Sequence, residues 1–95
     1  MLLAATIGFA ESVCDLQKKG NGEQATATGT VANLTQTQGA TTFDLRGDGC
    51  SFGVVFTQAG LGLRNGKPAT VTGTVRMTNL GDGRTVAHIW GEAVK

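Results

Sequence analysis

Ala25-Thr26-Ala27-Thr28-Gly29-Thr30-Val31 recurs as Ala69-Thr70-Val71-Thr72-Gly73-Thr74-Val75, with one substitution between the copies. Each copy alternates small or apolar residues with threonine. That is the period-two pattern of a strand with one buried face. Each copy also carries a glycine in mid-strand, where a side chain is normally wanted. An isolated glycine there marks a bend, a bulge or a close backbone approach. Two bent strands in a short chain suit a small closed barrel.

Composition agrees with this reading. The chain has 95 residues, enough for one domain with a modest core. Glycine is abundant at 15 residues and proline occurs once, which is the make-up of strands joined by tight turns. A net charge of +1 gives no overall pull toward nucleic acid or a membrane surface. No apolar run is long enough to cross a bilayer.

Working outward from the repeats, strand signals fall at 24–35, 41–46, 51–56, 68–78 and 84–94. Gln38-Gly39, Asp48-Gly49 and Gly81-Asp82-Gly83 are turn signals, Asp48-Gly49 being a strong hairpin signal. Alternation directs Phe43 and Leu45 inward from the second strand, and Phe52, Val54 and Phe56 inward from the third. The spacing between the two copies maps Phe43 onto Ala87 and Leu45 onto Ile89. Ala87 and Ile89 therefore face the core, and Val86, His88 and Trp90 face out. Residues 57–67 hold Leu61 and Leu63 among glycines and asparagines, and read as a loop or one helical turn.

Residues 1–20 differ in character. Leu2, Leu3, Ile7, Phe9, Ala10, Val13, Cys14 and Leu16 share a broad helical face, with Glu11, Asp15, Lys18 and Lys19 opposite. Lys18 and Lys19 suit a helix C-terminus and Gly20 suits the residue after it. The expectation is an amphipathic N-terminal helix over 1–20 preceding a barrel domain over 24–95. The rival reading is a truncated secretory signal, because Gly8 and Ala10 stand at −3 and −1 before Glu11. A basic leading region and sufficient length are missing for that. The compartment follows the choice: cytoplasmic for a native helix, cell envelope or secreted for a signal remnant.

The first and fourth glycine-bent strands, the Phe43-Asp44-Leu45 strand, and Gly66-Lys67-Pro68 leading into the second repeat resemble the OB-fold over Gln24 to Val94. The chain looks most like small stand-alone bacterial OB proteins related to tRNA-anticodon-binding domains. The resemblance implies an all-β, five-stranded Greek-key barrel, here with the N-terminal helix added. It also implies a ligand face across strands two and three and the loops one–two and four–five, which correspond to 36–46, 51–56 and 79–84. Thr42, Asp44, Arg46, Gly53, Val55 and Arg84 are the candidate ligand-binding residues on that basis. These marks specify a barrel, and no catalytic or binding motif of the family is carried by them.

No nucleophile elbow, phosphate loop, paired-carboxylate motif or metal signature occurs, so the expectation is a non-enzymatic binding or interaction module without a cofactor. Its partner is a protein or small ligand. The alternative is weak single-stranded nucleic-acid binding, which needs aromatic platforms beside a positive groove. Phe43, Phe52 and Phe56 read as core, and Gly53 and Val55 make a weak platform. Arg46, Arg64, Lys67, Arg76 and Arg84 are scattered and form no basic run. His88 is the only histidine and has no Cys or second His near it in sequence, which argues against a metal site. Arg46-Gly47-Asp48 spells an adhesion tripeptide but reads as turn chemistry. Asn33-Leu34-Thr35 is a glycosylation sequon, meaningful only in a eukaryotic secretory chain.

Two linked outcomes remain for Cys14, Cys50 and Trp90. Either the helix caps one end of the barrel and Cys14 bridges Cys50 with Trp90 uncovered, or it docks over Val86 and Trp90 and the cysteines stay apart. The second is favoured, because exposed apolar groups are usually covered or used.

Overall fold

The structure is a computed structural model that describes residues 10–79, 81, 83 and 85–95. Five strands follow one helical turn: α1 (Val13–Leu16), β1 (Gln24–Thr37), β2 (Ala40–Gly47), β3 (Cys50–Phe56), β4 (Pro68–Asn79) and β5 (Thr85–Val94). They close into a barrel in the order β1-β2-β3-β5-β4. Among the five described strands, β3 and β5 pair in parallel and the other pairings are antiparallel. The all-β Greek-key expectation holds, and the strand bounds agree with the sequence reading to within about two residues.

The two heptapeptides pair with each other. β1 and β4 run antiparallel with Ala27 opposite Val71, so the third residue of one copy faces its own counterpart in the other. The inward residues Ala25, Ala27, Ala69 and Val71 are buried. The outward threonines meet across the ladder, Thr28 with Thr70 at 2.8 Å and Thr26 with Thr72 at 3.3 Å between hydroxyls. The mid-strand glycines are close approaches. A β-carbon on Gly29 would stand 2.6 Å from the Arg46 carbonyl oxygen, and one on Gly73 would collide with the carbonyl of Trp90. Gly73 also sits at a register shift between β4 and β5, where the barrel turns its corner. Gly91 on β5 is left bare by the ring of Phe56, which occupies the space a side chain would need.

Phe43, Leu45, Phe52, Val54, Phe56, Val75 and Ile89 fill the interior as alternation requires. Ala87 is half-buried and packs on their edge, with Leu61 and Leu63 closing in from the 57–67 segment. That segment is a loop and contains no helical turn. The β2–β3 hairpin turns on Asp48 and Gly49, with φ of 54° and 82°, as a two-residue primed turn does.

Within residues 10–20, fewer positions are helical than the sequence predicts. Residues 1–9 of the expected span lie outside the described residues. Within the remainder, helix is confined to Val13–Leu16, capped by the Ser12 hydroxyl, which accepts from the Cys14 N–H at 3.2 Å. Gly20 does not take a left-handed terminating conformation; its N–H donates to the Glu23 carboxylate at 2.6 Å. The reason lies in the barrel. β2 pairs with β1 only from Thr30 onward, which leaves the first half of β1 with an open side. Glu11 fills it: its N–H donates to the Thr26 carbonyl at 2.6 Å, and its carboxylate accepts from the Thr26 N–H at 3.1 Å. Satisfying that ladder draws the chain into extended form before Ser12. The single turn that follows delivers Val13 and Leu16 into the barrel end, at 1% and 0% exposure.

Cys14 and Cys50 form a disulfide, their Cα atoms 5.2 Å apart, and Trp90 remains 39% exposed. The favoured docking over Trp90 is therefore overturned, and the capping alternative stands. The two places are far apart on the barrel. Cys50 begins β3, whereas Trp90 pairs with Val55 near its other end, about 16 Å along the strand.

Candidate binding face

β2, β3, β5 and β4 are hydrogen-bonded neighbours, so their outward residues line up in rows. One row runs Asp44, Gly53, His88, Arg76. The next runs Thr42, Val55, Trp90, Thr74. On the other side of the Asp44 row, Arg46 lies between Thr30 of β1 and Ser51 of β3. Residues that the sequence presented as two groups, a ligand face and an interaction surface, thus belong to one continuous face. Of the expected residues, Thr42, Asp44, Arg46, Gly53, Val55, His88 and Trp90 come together here. Val86 lies one position further out on β5 and is 46% exposed. Arg84 lies outside the described residues.

The centre of the face is a shallow depression of about 210 Å³, walled by Asn33, Thr42, Asp44, Val55 and His88. Gly53 makes its floor. A β-carbon built there would meet only the His88 Cβ, at 3.6 Å. Asp44 is half-buried, and the Asn33 side-chain N–H donates to its Oδ2 at 2.8 Å. At the edge, the Trp90 indole N–H donates to His88 Nε2 at 2.8 Å. The Arg76 guanidinium stands 5.3 Å from the centre of the Trp90 ring. A cation over an indole is an attractive pairing. The tryptophan beneath it keeps 39% of its surface open to solvent. The face therefore offers an aromatic plane, a bare backbone floor, a carboxylate and two guanidinium groups.

The sequence offers Asn33 only as part of a sequon and Arg76 only as one of five scattered cations, yet both border this face. Asn33 sits at a bulge in β1, in left-handed backbone at φ 53°, which turns its side chain toward β2. Asparagine tolerates that conformation better than most residues, and its presence inside a strand pattern was the available signal. Arg76 owes its place to the β4–β5 register, for which the sequence holds no local sign.

No family model matches the sequence, and no curated protein matches it. Solved structures do match. An aspartyl tRNA synthetase from Entamoeba histolytica superposes with a TM-score of 0.74 at 9% identity over 98% of this chain. The barrel is an OB-fold. The HINa domain of Ifi202, solved in complex with 20bp dsDNA, superposes at 0.68 with 13% identity over 90% of the chain. The S. pombe Stn1-ten1 complex superposes at 0.57 with 14% identity over 76%. The chain spans 22%, 45% and 56% of those three chains, so what is shared is the OB barrel.

Proposed function

We propose that this protein is a non-enzymatic OB-fold binding module whose ligand lies across the outer face of β2, β3 and β5. The observation that carries the reading is the alignment of Thr42, Asp44, Gly53, Val55, His88 and Trp90 in adjacent rows around one depression. OB-folds in general use the face of strands two and three. Here β5 extends that face with the one tryptophan of the chain. The test is to titrate isotope-labelled protein with a set of small polar-aromatic fragments and, separately, with oligothymidylate, following backbone amide shifts. Shifts that cluster on Thr42, Asp44, Gly53, Val55 and His88 support the reading. Shifts that cluster on the threonine ladder of β1 and β4 overturn it.

The second reading is a weak binder of single-stranded nucleic acid. The pairing of Arg76 with the exposed Trp90 favours it, since stacking planes backed by cations are what such binders use. A solved neighbour in complex with dsDNA supports the coarser part of this reading, nucleic-acid binding. Binding that weakens steeply with salt, together with quenching of Trp90 fluorescence by oligothymidylate, supports this reading. Unchanged fluorescence at tens of micromolar protein removes it. The Cys14–Cys50 bridge supports residence in an oxidising compartment, the cell envelope or the exterior. Trapping thiols in freshly lysed producing cells tests that: two free thiols per chain count against it.

A further inference from the structure

We propose that the Asp44 row of this face receives a guanine base, with the phosphate of the same nucleotide on Arg46. The inference rests on the nucleic-acid reading above and adds a base preference to it. Its starting point is the carboxylate at the centre of the face. Asp44 stands where a phosphate would be repelled, so a nucleotide crossing this row has to present its base there. An ionised carboxylate only accepts hydrogen bonds. Asn33 occupies one position on Oδ2, leaving Oδ1 and the remaining side of Oδ2 for a ligand.

The Watson–Crick edges of the bases then differ sharply. Guanine alone presents two adjacent donors, N1–H and the N2 amino group, which match the two carboxylate oxygens. Adenine and cytosine set one amino group beside a ring nitrogen that accepts, and thymine sets one N–H between two carbonyls. In each of these the second oxygen of Asp44 would face another acceptor. Recognition on this edge is open to unpaired bases only.

Shape agrees with chemistry. Gly53 leaves the strand bare beside Asp44, so a flat ring can lie against the backbone where any other residue would raise a side chain. His88 forms the far wall, and its hydrogen bond from Trp90 holds it there. Arg46 is the next outward residue of β2, about 7 Å along the strand from Asp44. It is exposed and lies in register between the hydroxyl-bearing residues Thr30 and Ser51. An open dish of about 490 Å³ is lined by these three residues and the hairpin. A guanidinium flanked by hydroxyls is a phosphate-binding arrangement. Opposite charges at consecutive outward positions of one strand set base and phosphate in a single order.

The unit can come from a single strand or from a free nucleotide, and the experiment separates the two. Fluorescein-labelled twelve-nucleotide oligothymidylate, the same strand with one central dG, and the same strand with central deoxyinosine are titrated with the oxidised protein at low salt. GMP and TMP are titrated separately, read by Trp90 fluorescence. The dG strand is expected to bind about tenfold more tightly than the all-thymine strand, the scale of one bidentate base contact. Deoxyinosine, which lacks the N2 amino group, is expected to fall between them. Asp44→Asn replaces half of the acceptor pair with a donor and should erase the dG advantage. Gly53→Val, whose added β-carbon meets only an ordinary contact, should keep the fold and erase it as well. GMP binding that depends on Asp44 identifies the free nucleotide as a ligand. A dG advantage without GMP binding identifies the strand.

Equal affinity for the dG and all-thymine strands overturns the guanine inference and leaves the strand reading standing. A dG advantage that survives in Asp44→Asn overturns the assignment to this row. No binding of any strand or of GMP overturns both.

Discussion

Removing the Cys14–Cys50 bridge should cost this domain a large share of its stability without changing its fold. The perturbation is the double variant Cys14→Ser, Cys50→Ser, compared with wild type in the absence of reductant. The bridge joins residues separated by 36 positions. In the chain-entropy account, a loop of that size raises the free energy of the unfolded chain by about 4 kcal/mol. A 95-residue domain typically has only about 5–14 kcal/mol in all. The native side changes little, because Val13 and Leu16 stay buried in the barrel end and Glu11 keeps its ladder contacts with Thr26. The variant should therefore fold with the same far-ultraviolet circular dichroism and melt roughly 15–30 °C lower. Urea denaturation gives the sharper measurement. The midpoint should fall, and the slope should rise, since an unbridged chain exposes more surface on unfolding. Wild type treated with reductant should reproduce both changes. A loss below about 1 kcal/mol would refute the reasoning: the anchoring side chains, not the covalent loop, would then be what restrains residues 10–20.

Other outcomes follow from the packing. Val71→Asp places a charge at a fully buried position at the centre of the repeat pairing and should abolish the cooperative melt; a transition near the wild-type temperature would refute the strand phase. Gly73→Ala should cost about 1–3 kcal/mol, because its methyl group meets the Trp90 backbone, while Gly53→Ala should fall within about 0.5 kcal/mol of wild type; denaturant midpoints for the pair check the contrast. Trp90→Ala should keep a cooperative melt, lowered by the loss of its partly buried ring, and abolish binding of oligothymidylate measured by anisotropy. Arg76→Ala should weaken the same binding and reduce its salt dependence by about one unit of slope, as loss of a single phosphate contact does.

Period-two alternation was enough to determine the strands and their inward faces. Phe43, Leu45, Phe52, Val54, Phe56 and Ile89 all lie where alternation put them, because a strand has only two sides and water selects one. Turn chemistry was equally local: Asp48 and Gly49 tolerate the left-handed backbone that a two-residue hairpin requires. The glycines of the repeats announced close approach, though not what would approach them. Register, closure and the fate of residues 10–20 were decided by the tertiary structure. The apolar spacing at the N-terminus is compatible with a long helix, but the first half of β1, paired with β4 on one side, is open on the side that β2 does not reach. Glu11 takes part of that open side with two hydrogen bonds to Thr26, and among residues 10–20 helix is confined to Val13–Leu16. The binding face has the same origin. The local β2–β3 hairpin brings Asp44 beside Gly53, but His88 and Arg76 join that row only when β3 and β5 pair in parallel and β4 closes beside them. Such non-local pairing depends on how the whole barrel closes, and no short stretch of sequence encodes it.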